Sequence, residues 1–433
     1  MENKTKKSLY DFSGFSKLNY LERLNKLKTN FVLSEEDVNF FKNGGIQSPD
    51  LGEKFVENLL GYFQIPMGVA TNFCIDGQDY LIPMAVEETS IIAAASKTAK
   101  WVRENGEIKT EIMGTDIIGQ IQFSKVKNFL EFEAAVLQQK DYLIRLANKE
   151  VAFGLVARGG GVTNLTVREL KRDDGLSMAV VHLYMNPCDA MGANIINQVC
   201  EFLKDPLQDF TNETVTMCIL SNLVDSKLTK ATVTINNIDP ELAYKIEEAS
   251  RFAELDSYRA ATSNKGVLNG IDPILIATGN DWRAVEAGIH AYAAHNGRYS
   301  SITKWRVTGN QLVGELTAPL VVGTVGGVTT LHPAAKISLK MMHIKSAEHL
   351  SRIIASVGLV QNLGALKALT TVGIIEGHMK LHVKNLSLGA GATEKEMPFV
   401  VKKLEEILAL TKRISLSNAI EVVNDFRKKT ETK

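Results

Sequence analysis

A strand-like run, EIMGTDIIGQIQF at residues 111–123, begins the stretch of the chain that decides its fold. Two further strand-like runs follow, MAVVHLYMN at residues 178–186 and ETVTMCIL at residues 213–220. Helical runs lie between them, NFLEFEAAVLQQKDYLIRLANKE at residues 128–150 and ANIINQVCEFLKD at residues 193–205. Because strands that alternate with helices form a sheet covered by helices, this segment predicts a small α+β domain of the ferredoxin-like type.

The flanking sequence predicts a larger body of mixed structure. GVATNFCIDGQDYLIPMAV at residues 68–86 alternates around an Asp-Gly pair, which is typical of a hairpin. SIIAAASKTAKWVREN at residues 90–105 and DWRAVEAGIHAYAAH at residues 281–295 are typical of helices. Near the C-terminus we expect a strand in KLHVKNLSL at residues 380–388, and an amphipathic helix in KEMPFVVKKLEEILALTK at residues 395–412.

The charge balance argues against two classes of partner. The 433 residues contain 49 Lys and Arg and 49 Asp and Glu, so the formal net charge is zero. Without a basic surplus the protein has no field to hold a nucleic acid or an anionic membrane, and we expect neither as a partner. A chain of this length is also too long for one simple core and predicts two or three domains.

Cysteine usage and the N-terminal sequence favour a cytoplasmic protein. The cysteines are Cys74, Cys188, Cys200 and Cys218. None forms a CxxC pair, so we expect no metal site and no disulfide framework. The N-terminal MENKTKKSLYDFSG has no apolar run behind its basic residues and is not typical of a secretory signal. The uncharged stretch 316–335 is interrupted by glycines, prolines and polar residues, which indicates buried loops and strands rather than a membrane span.

The common nucleotide and hydrolase motifs are absent. No GxGxxG opens a helix after a strand, and no GxxxxGK[ST] occurs, so the sequence supports neither a Rossmann nor a P-loop module. GxSxG is absent too, which weakens the case for a serine hydrolase.

Two short stretches carry candidate catalytic groups. PMAVEETS places Glu87 and Glu88 at the start of a helix, where the acids either complement the helix dipole or, in an apolar pocket, donate a proton. YRAATSNKGVLNGID at residues 258–272 places Lys265 in an expected turn between apolar runs. A lysine in a turn is usually solvated, but with Arg259 and Asn269 nearby it would suit a carboxylate and an oxyanion.

Three further candidates have plain structural alternatives. Asp281 in ATGNDWRAVEAG lies where a helix begins and is either an N-cap or a functional carboxylate. EGHMKLH contains His378 and His382, which are either solvated or, more specifically, a proton donor. The loop DAMGAN at residues 189–194 joins a strand to a helix, so its backbone N–H groups could bind phosphate.

Together these stretches resemble one family, the class II 3-hydroxy-3-methylglutaryl-CoA (HMG-CoA) reductases. The resemblance covers about residues 16–425. The motifs that carry it occur in the family's order: ENLLG, VEETSIIAAAS, RGGG, DAMGAN, LSNL, YRAATSNKG, NGID, ATGNDWRAVEAG, VGGVTTLHP, VGLVQNLGA and GHMKLH.

The resemblance implies a multidomain α+β and α/β architecture. A large α/β domain around a central helix, residues 1–108 and 217–375, is expected to bind the CoA thioester. A small inserted domain, residues 109–216, is expected to bind the nicotinamide cofactor without a Rossmann motif. A C-terminal flap, residues 376–433, is expected to carry the histidine. The family also implies a homodimer, or a higher even oligomer, with active sites at the subunit interface.

It further implies an activity and a role for each matched residue. The expected reaction is the two-step, NAD(P)H-dependent reduction of HMG-CoA to mevalonate and CoA, or its reverse. Four residues match the catalytic positions: Glu88 as proton donor, Lys265 at the oxyanion, Asp281 tuning both, and His378 protonating the CoA thiolate. The expected substrate-binding residues are Ser90, Arg259, Asn269 and Gln361. The expected cofactor-binding residues are Asp189, Met191, Gly192 and Asn194.

The sequence departs from the family pattern at few positions, and these bear on cofactor choice more than on catalysis. Thr89 replaces a common proline and Ser263 a common histidine, which removes none of the groups above. NADPH is expected to be preferred over NADH, because Ala152 falls where NADH-specific relatives carry an aspartate, although a one-residue gap would place Glu150 there. Nearby Arg158 and Lys149 could favour a 2′-phosphate.

Two other kinds of protein remain open from the residues alone. An acyl-CoA-using lyase or transferase could carry the same carboxylate and lysine, and only a reductase would consume NAD(P)H. A non-catalytic binding protein would be favoured by loss of the four catalytic residue types, all of which are present.

Overall fold

The computed structural model describes residues 12, 14–30, 32–371, 383–411 and 413–431. Within these ranges the strands form three antiparallel sheets, one of two strands and two of four. The chain is therefore a mixed α/β protein.

The elements follow one another in four stretches. The N-terminal stretch contains a 3-10 turn at Phe15–Lys17, α1 (Tyr20–Thr29), α2 (Glu35–Lys42), α3 (Pro49–Gly52), β1 (Met67–Ile75), β2 (Gln78–Ala85), α4 (Ile91–Asn105) and β3 (Gly106–Met113). The second contains β4 (Ile117–Val126), α5 (Phe129–Gln138), α6 (Lys140–Glu150), α7 (Phe153–Val156), β5 (Gly161–Lys171), β6 (Ser177–Asn186), α8 (Ala193–Phe202), α9 (Lys204–Thr211) and β7 (Met217–Ser221).

The two remaining stretches complete the chain. The third contains β8 (Leu228–Asn236), α10 (Pro240–Leu255), α11 (Ser257–Ala277), α12 (Trp282–Ala293), β9 (Thr303–Thr308), β10 (Gln311–Pro319), α13 (Gly327–Leu331), α14 (Pro333–Met341) and α15 (Ala347–Thr370). The fourth contains α16 (383–389), α17 (Met397–Thr411) and α18 (Leu416–Glu431).

The second stretch forms a sheet with its own hydrophobic core. Its strand order is β5-β6-β4-β7, and helices precede β5 and β7, so the chain runs β-α-β-β-α-β. Alternate side chains of β6 are buried against the helices because successive residues of a strand point to opposite faces. Phe123 and Phe132 meet edge to face in this core, with ring centroids 4.6 Å apart. The alternation of strands and helices read from the sequence is confirmed.

A second four-stranded sheet, ordered β3-β8-β10-β9, lies against α15. Helix α15 also packs against α11 and α4 and is buried along most of its length. Trp305 of β9 is fully buried and donates from Nε1 to Asn362 Oδ1 of α15 at 2.8 Å. Among the helices that the structure describes, α15 is long and apolar enough to cross a membrane, yet 67% of its most apolar window is buried within the protein. Burial of this kind is typical of a core helix.

Helices α11 and α15 approach closely through glycine. A Cβ at Gly270 of α11 would lie 2.9 Å from the carbonyl oxygen of Val357, which belongs to the α15 backbone. A Cβ at Gly358 of α15 would lie 2.9 Å from Ile271 of α11. Asn264 and Gly266 favoured a turn at Lys265 in the sequence, since glycine lowers helix propensity. The packing of α11 against α15 outweighs that preference.

The expected turn around Lys265 is therefore wrong. Residues 258–272 lie wholly within α11, which is 21 residues long. Asp256 caps the helix by accepting a hydrogen bond from the Arg259 backbone at 2.9 Å. Placing Lys265 on a helix fixes its direction relative to the other polar residues of the same face.

Two other local predictions have opposite outcomes. The hairpin is confirmed, with Asp76 and Gly77 both at positive φ, as a two-residue turn of this kind requires. The strand expected in residues 380–388 is wrong over the part that the structure describes, because 383–389 is helical. Val383 is fully buried there in a small cluster with α17 and α18, and burial on one side suits a helix as well as a strand.

The glycine contact gives a matched pair of substitutions. Gly270→Ala is expected to destabilise the fold by roughly 1–3 kcal/mol, because the added methyl meets the α15 backbone. Gly266→Ala, on the same helix with open space around it, is expected to leave stability unchanged or raise it by up to about 1 kcal/mol. Urea unfolding followed by circular dichroism measures both; equal effects would contradict the close approach.

Candidate active site

The first polar group of the site lies at the start of α4, in a strained conformation. Ser90 is the N-cap of α4, with φ 81° and ψ −24°, a region that favours glycine. Its side chain makes no capping hydrogen bond, and Oγ is buried without a partner among the described residues. Strain of this kind together with an unused hydroxyl indicates a functional position.

A lysine and a glutamate meet beside Ser90. The Nζ of Lys265 on α11 lies 3.3 Å from Oε2 of Glu88, in the turn before α4. The two side chains are 63% and 43% exposed, and exposed ion pairs contribute little to stability. The pair thus leaves a cation and a carboxyl group accessible to a ligand, and it brings together two of the catalytic residues predicted from the sequence.

Two of the expected substrate-binding residues also have unused polar groups. Gln361 lies on α15 where α15 contacts Gly270, and its Oε1 is buried without a partner in the part of the chain that the structure describes. Arg259, on the first turn of α11, is half-buried, and burial lowers the pKa of its guanidinium. A half-buried cation with no carboxylate beside it among the described residues is suited to an anionic ligand.

The remaining predicted residues of this site have plainer surroundings. Asn269 lies one helical turn after Lys265 and is half-buried. Asp281 is the N-cap of α12 and accepts a hydrogen bond from the Ala284 backbone at 3.1 Å, so the capping interpretation is confirmed. Its contact with Lys265 and Glu88 stays a prediction. His378, like His382, lies outside the described residues.

The loop DAMGAN connects β6 to α8 and leaves a helix end open. Gly192 is the N-cap of α8, with φ 93°, and no side chain caps the helix. A Cβ there would lie 2.5 Å from Ile117 and 2.7 Å from Pro187, so the loop passes close to its neighbours. Asn194 follows within the first turn of α8, while Met191 lines a narrow apolar cleft with Val285.

Asp189 of the same loop reaches helix α15. Its Oδ1 accepts a hydrogen bond from the Ala347 backbone at 2.9 Å, at the first turn of α15. Its backbone carbonyl accepts another from Thr324 at 2.8 Å. The loop is thereby bound to the large sheet's helix as well as to its own sheet. The sequence indicated only a ligand-binding role for Asp189, since no local pattern reveals a contact 158 residues away.

The position chosen for cofactor discrimination is wrong. Ala152 is 1% exposed and belongs to the core of the β4–β7 sheet, so its side chain does not face a ligand. Glu150 is exposed, and its Oε1 lies 2.9 Å from Nζ of Lys149. Arg158 is exposed, and its carbonyl accepts a long hydrogen bond from the Cys188 thiol at 3.7 Å, next to Asp189. Counting back from the glycine run does not reveal that this residue is buried, because burial depends on packing against the sheet.

One pair of carboxyl groups was missed from the sequence. Asp272, on α11, contacts Glu286, on α12, and one oxygen of Asp272 is buried without a donor among the described residues. Burial raises the pKa of Asp272 to about 8, and Glu286 adds to the effect. The available signal was the seven-residue spacing from Lys265, which returns to the same helix face.

The chain is similar to known proteins over most of its length. A sequence profile described as hydroxymethylglutaryl-coenzyme A reductase matches residues 19–383. The 3-hydroxy-3-methylglutaryl-coenzyme A reductase of Archaeoglobus fulgidus is 43% identical over 419 residues, covering 96% of this chain and 94% of that protein. The chain belongs to the hydroxymethylglutaryl-coenzyme A reductase family. A probable 3-hydroxy-3-methylglutaryl-coenzyme A reductase of Borreliella burgdorferi is 34% identical, covering 86% of each protein.

Solved structures of family members share the whole fold. A 3-hydroxy-3-methylglutaryl-coenzyme A reductase from Streptococcus pneumoniae superposes with a TM-score of 0.82 at 37% identity, over 96% of this chain and all of that one. A class II enzyme from the same organism, bound to NADPH in open conformations, superposes with a TM-score of 0.81 at 38% identity, over 84% of this chain and all of that one. The family and class expected from the motifs are confirmed, and family members are oxidoreductases.

Strain at Ser90 can be separated from the role of its hydroxyl. Ser90→Gly is expected to be as stable as the wild type or more stable by up to about 1 kcal/mol, because glycine adopts φ 81° without penalty. Ser90→Ala removes the same hydroxyl but retains the strain, so it should gain nothing. Urea unfolding of both variants tests this, and a loss of stability in Ser90→Gly would show that Oγ has a structural partner.

Proposed function

We propose that this protein reduces 3-hydroxy-3-methylglutaryl-CoA to mevalonate and CoA in two steps with NAD(P)H, in isoprenoid metabolism. The observation that carries the proposal is the accessible Lys265–Glu88 pair beside polar groups without partners, Ser90 Oγ and Gln361 Oε1. Buried polar atoms are rarely left unsatisfied in a folded protein. These groups therefore suit a polar ligand, which would supply their missing hydrogen bonds.

The substrate's carboxylate and hydroxyl suit the groups that surround the lysine. The Arg259 guanidinium would bind the carboxylate of the hydroxymethylglutaryl group in bidentate fashion. Ser90, Asn269 and Gln361 offer one hydroxyl and two amides, which can both donate and accept. Their positions on α4, α11 and α15 support a rigid pocket, since side chains on packed helices lose little freedom on binding.

Lys265 and Glu88 fit the chemistry of a thioester reduction. Hydride addition to the thioester carbonyl generates an oxyanion, which the Lys265 ammonium stabilises. The resulting hemithioacetal collapses to an aldehyde and a CoA thiolate. When the aldehyde is reduced, a protonated Glu88 donates to the new alkoxide, and its 3.3 Å separation from Lys265 lets the two groups act on the same oxygen. Each step consumes one proton.

Two further roles are proposed by the family resemblance. His378 would protonate the departing CoA thiolate, because imidazolium titrates near neutral pH. Asp281, at the start of α12, would approach Lys265 and Glu88 and influence their protonation. A C-terminal flap over residues 376–433 would open between the two rounds of reduction.

The loop DAMGAN fits a dinucleotide. The uncapped N-terminus of α8 leaves backbone N–H groups for a pyrophosphate, and Gly192 permits close approach. Asp189, Met191, Gly192 and Asn194 are the residues proposed to hold it. When bound, NAD(P)H supplies the hydride for each reduction. The NADPH-bound Streptococcus pneumoniae relative supports NADPH as the cofactor.

The finer architecture is proposed on the same grounds. Separate hydrophobic clusters support a large domain, an inserted domain and a flap. The expected limits of the inserted domain, residues 109–216, shift at both ends, because β3 up to Met113 pairs with β8 of the other sheet and β7, Met217–Ser221, pairs with β4. The strand order β5-β6-β4-β7 supports a ferredoxin-like inserted domain. A cytoplasmic homodimer, or higher even oligomer, with shared active sites follows from the family resemblance.

Loss of the lysine is the primary test of the reaction. Lys265→Ala is expected to lower kcat for HMG-CoA reduction by about 10²–10³-fold, because one oxyanion contact is removed. NADPH absorbance measures the rate, and urea unfolding should match the wild type. Lys245→Ala, which removes an exposed lysine of α10, is the control. Near-normal turnover in Lys265→Ala would exclude the assigned role.

Cofactor choice gives a second test. NADPH is expected to have the higher kcat/KM, and Arg158→Ala should reduce kcat/KM for NADPH by roughly tenfold with little effect on NADH, because a charge-assisted contact to the 2′-phosphate is lost. Lys171→Ala, which removes an exposed cation at the last residue of β5, is the control. A clear preference for NADH would indicate that Glu150 faces the ribose.

A further inference from the structure

Two carboxyl groups lie together behind Lys265. Asp272 belongs to the middle of α11 and Glu286 to the second turn of α12, and their side chains are in hydrogen-bonding contact. One Asp272 oxygen is buried and has no N–H or O–H donor among the described residues. Two ionised carboxylates cannot occupy such a contact without strong repulsion, whereas a shared proton turns it into a hydrogen bond.

The pair is directed toward the lysine of the site. Asp272 follows Lys265 by seven residues, which is close to two turns of an α-helix, so both side chains lie on one face of α11. The Lys265 charge acts on the Asp272 carboxyl. The other charged group that acts on it is Glu286, from α12, while α15 contacts this part of α11 through Val357, Gly358 and Gln361, which carry no charge.

The net charge around Lys265 affects a reaction whose substrate and intermediates are anionic. Glu88 already lies beside Lys265, and Asp281 stands at the start of α12. The proposed substrate brings a carboxylate, and each reduction step forms an oxyanion. A second full negative charge on the pair would oppose both, because interactions between charges are strong where water is partly excluded.

We propose that Asp272 and Glu286 form a one-proton carboxyl pair that positions Lys265 and limits the negative charge behind it. The inference rests on the proposed reductase function. The single negative charge of the pair attracts the ammonium, and the shared proton keeps the two acids in contact. Neither acid touches the substrate, so both are positioning residues.

The charge of the pair determines the direction in which kcat/KM changes with pH. Burial raises the pKa of Asp272 well above its usual range, so the pair holds its proton at neutral pH and loses it in alkaline solution. Loss of the proton adds the opposing charge. We therefore expect kcat/KM for HMG-CoA to fall on the alkaline side, approaching about tenfold per pH unit for a one-proton loss.

Neutral isosteres test this directly. Asp272→Asn and Glu286→Gln each leave one carboxylate and one amide donor, so the contact survives and no shared proton remains to be lost. Both variants should lose less kcat/KM at high pH than the wild type, with at least a tenfold higher ratio of the pH 9.5 to the pH 7 value, while any fall caused by His378 or Glu88 is common to all three proteins. Asp239→Asn, which changes an exposed helix cap on α10, should keep the wild-type profile. An unchanged alkaline fall in both variants would overturn the proposal.

A measurement without catalysis separates this inference from the reductase assignment. Between the ordinary carboxyl pKa and the raised one, the folded protein holds a proton that the unfolded chain releases, so the pair makes stability fall as pH rises. The Tm of Asp272→Asn relative to the wild type should therefore increase steadily from pH 5 to pH 8. A constant difference would show that the pair shares no proton, whatever the enzyme reduces. If the wild type lacks reductase activity while the Tm difference grows with pH, the pair shares a proton but the proposed reductase function is wrong.

Discussion

The close approach of α11 and α15 is the constraint on which the rest of the structure depends. Gly270 and Gly358 bring the two backbones together, and the pair is surrounded by the largest hydrophobic cluster of the protein. Lys265, Asn269 and Asp272 are carried by one of these helices and Gln361 by the other. Because closely packed helices shift only as units, the polar groups they carry keep fixed relative positions. The packing of the core therefore fixes the geometry of the site.

Polar groups without partners are concentrated where the chemistry is proposed. Within the described residues, the buried side-chain oxygens that lack hydrogen bonds belong to Ser90, Asp272 and Gln361. The first belongs to a strained residue and the second to an acid pressed against another acid. Natural proteins satisfy almost all buried polar atoms, so stability alone would not select this arrangement. A stable core tolerates such local costs, and here they mark two expected substrate-binding residues, Ser90 and Gln361, and one acid on the same helix as Lys265.

The sequence predicted those features that local patterns encode. The hairpin followed from its Asp-Gly pair, and the alternation of strands and helices in residues 111–220 followed from hydrophobic periodicity. It failed for α11, where Asn264 and Gly266 beside Lys265 indicated a turn, because the helix is stabilised by packing against α15, far along the chain. The family's motifs predicted residues for the site, yet the Asp189–Ala347 and Asp272–Glu286 contacts join residues of different elements that no short motif relates. The choice of Ala152 failed because residue spacing does not reveal that this side chain is packed in the core of the β4–β7 sheet.

The hydrogen bond from Ala347 to Asp189 limits how far the β4–β7 unit is a self-contained module. A segment that enters and leaves a host domain through two neighbouring crossings can often be exchanged as a cassette. Here the β4–β7 unit supplies the side chain that satisfies a backbone N–H at the start of α15. A replacement unit would need both a compatible ligand loop and an acceptor in the same place. Recombination between distant relatives would therefore succeed only where that acceptor travels with the insert, and the two parts are expected to be inherited together.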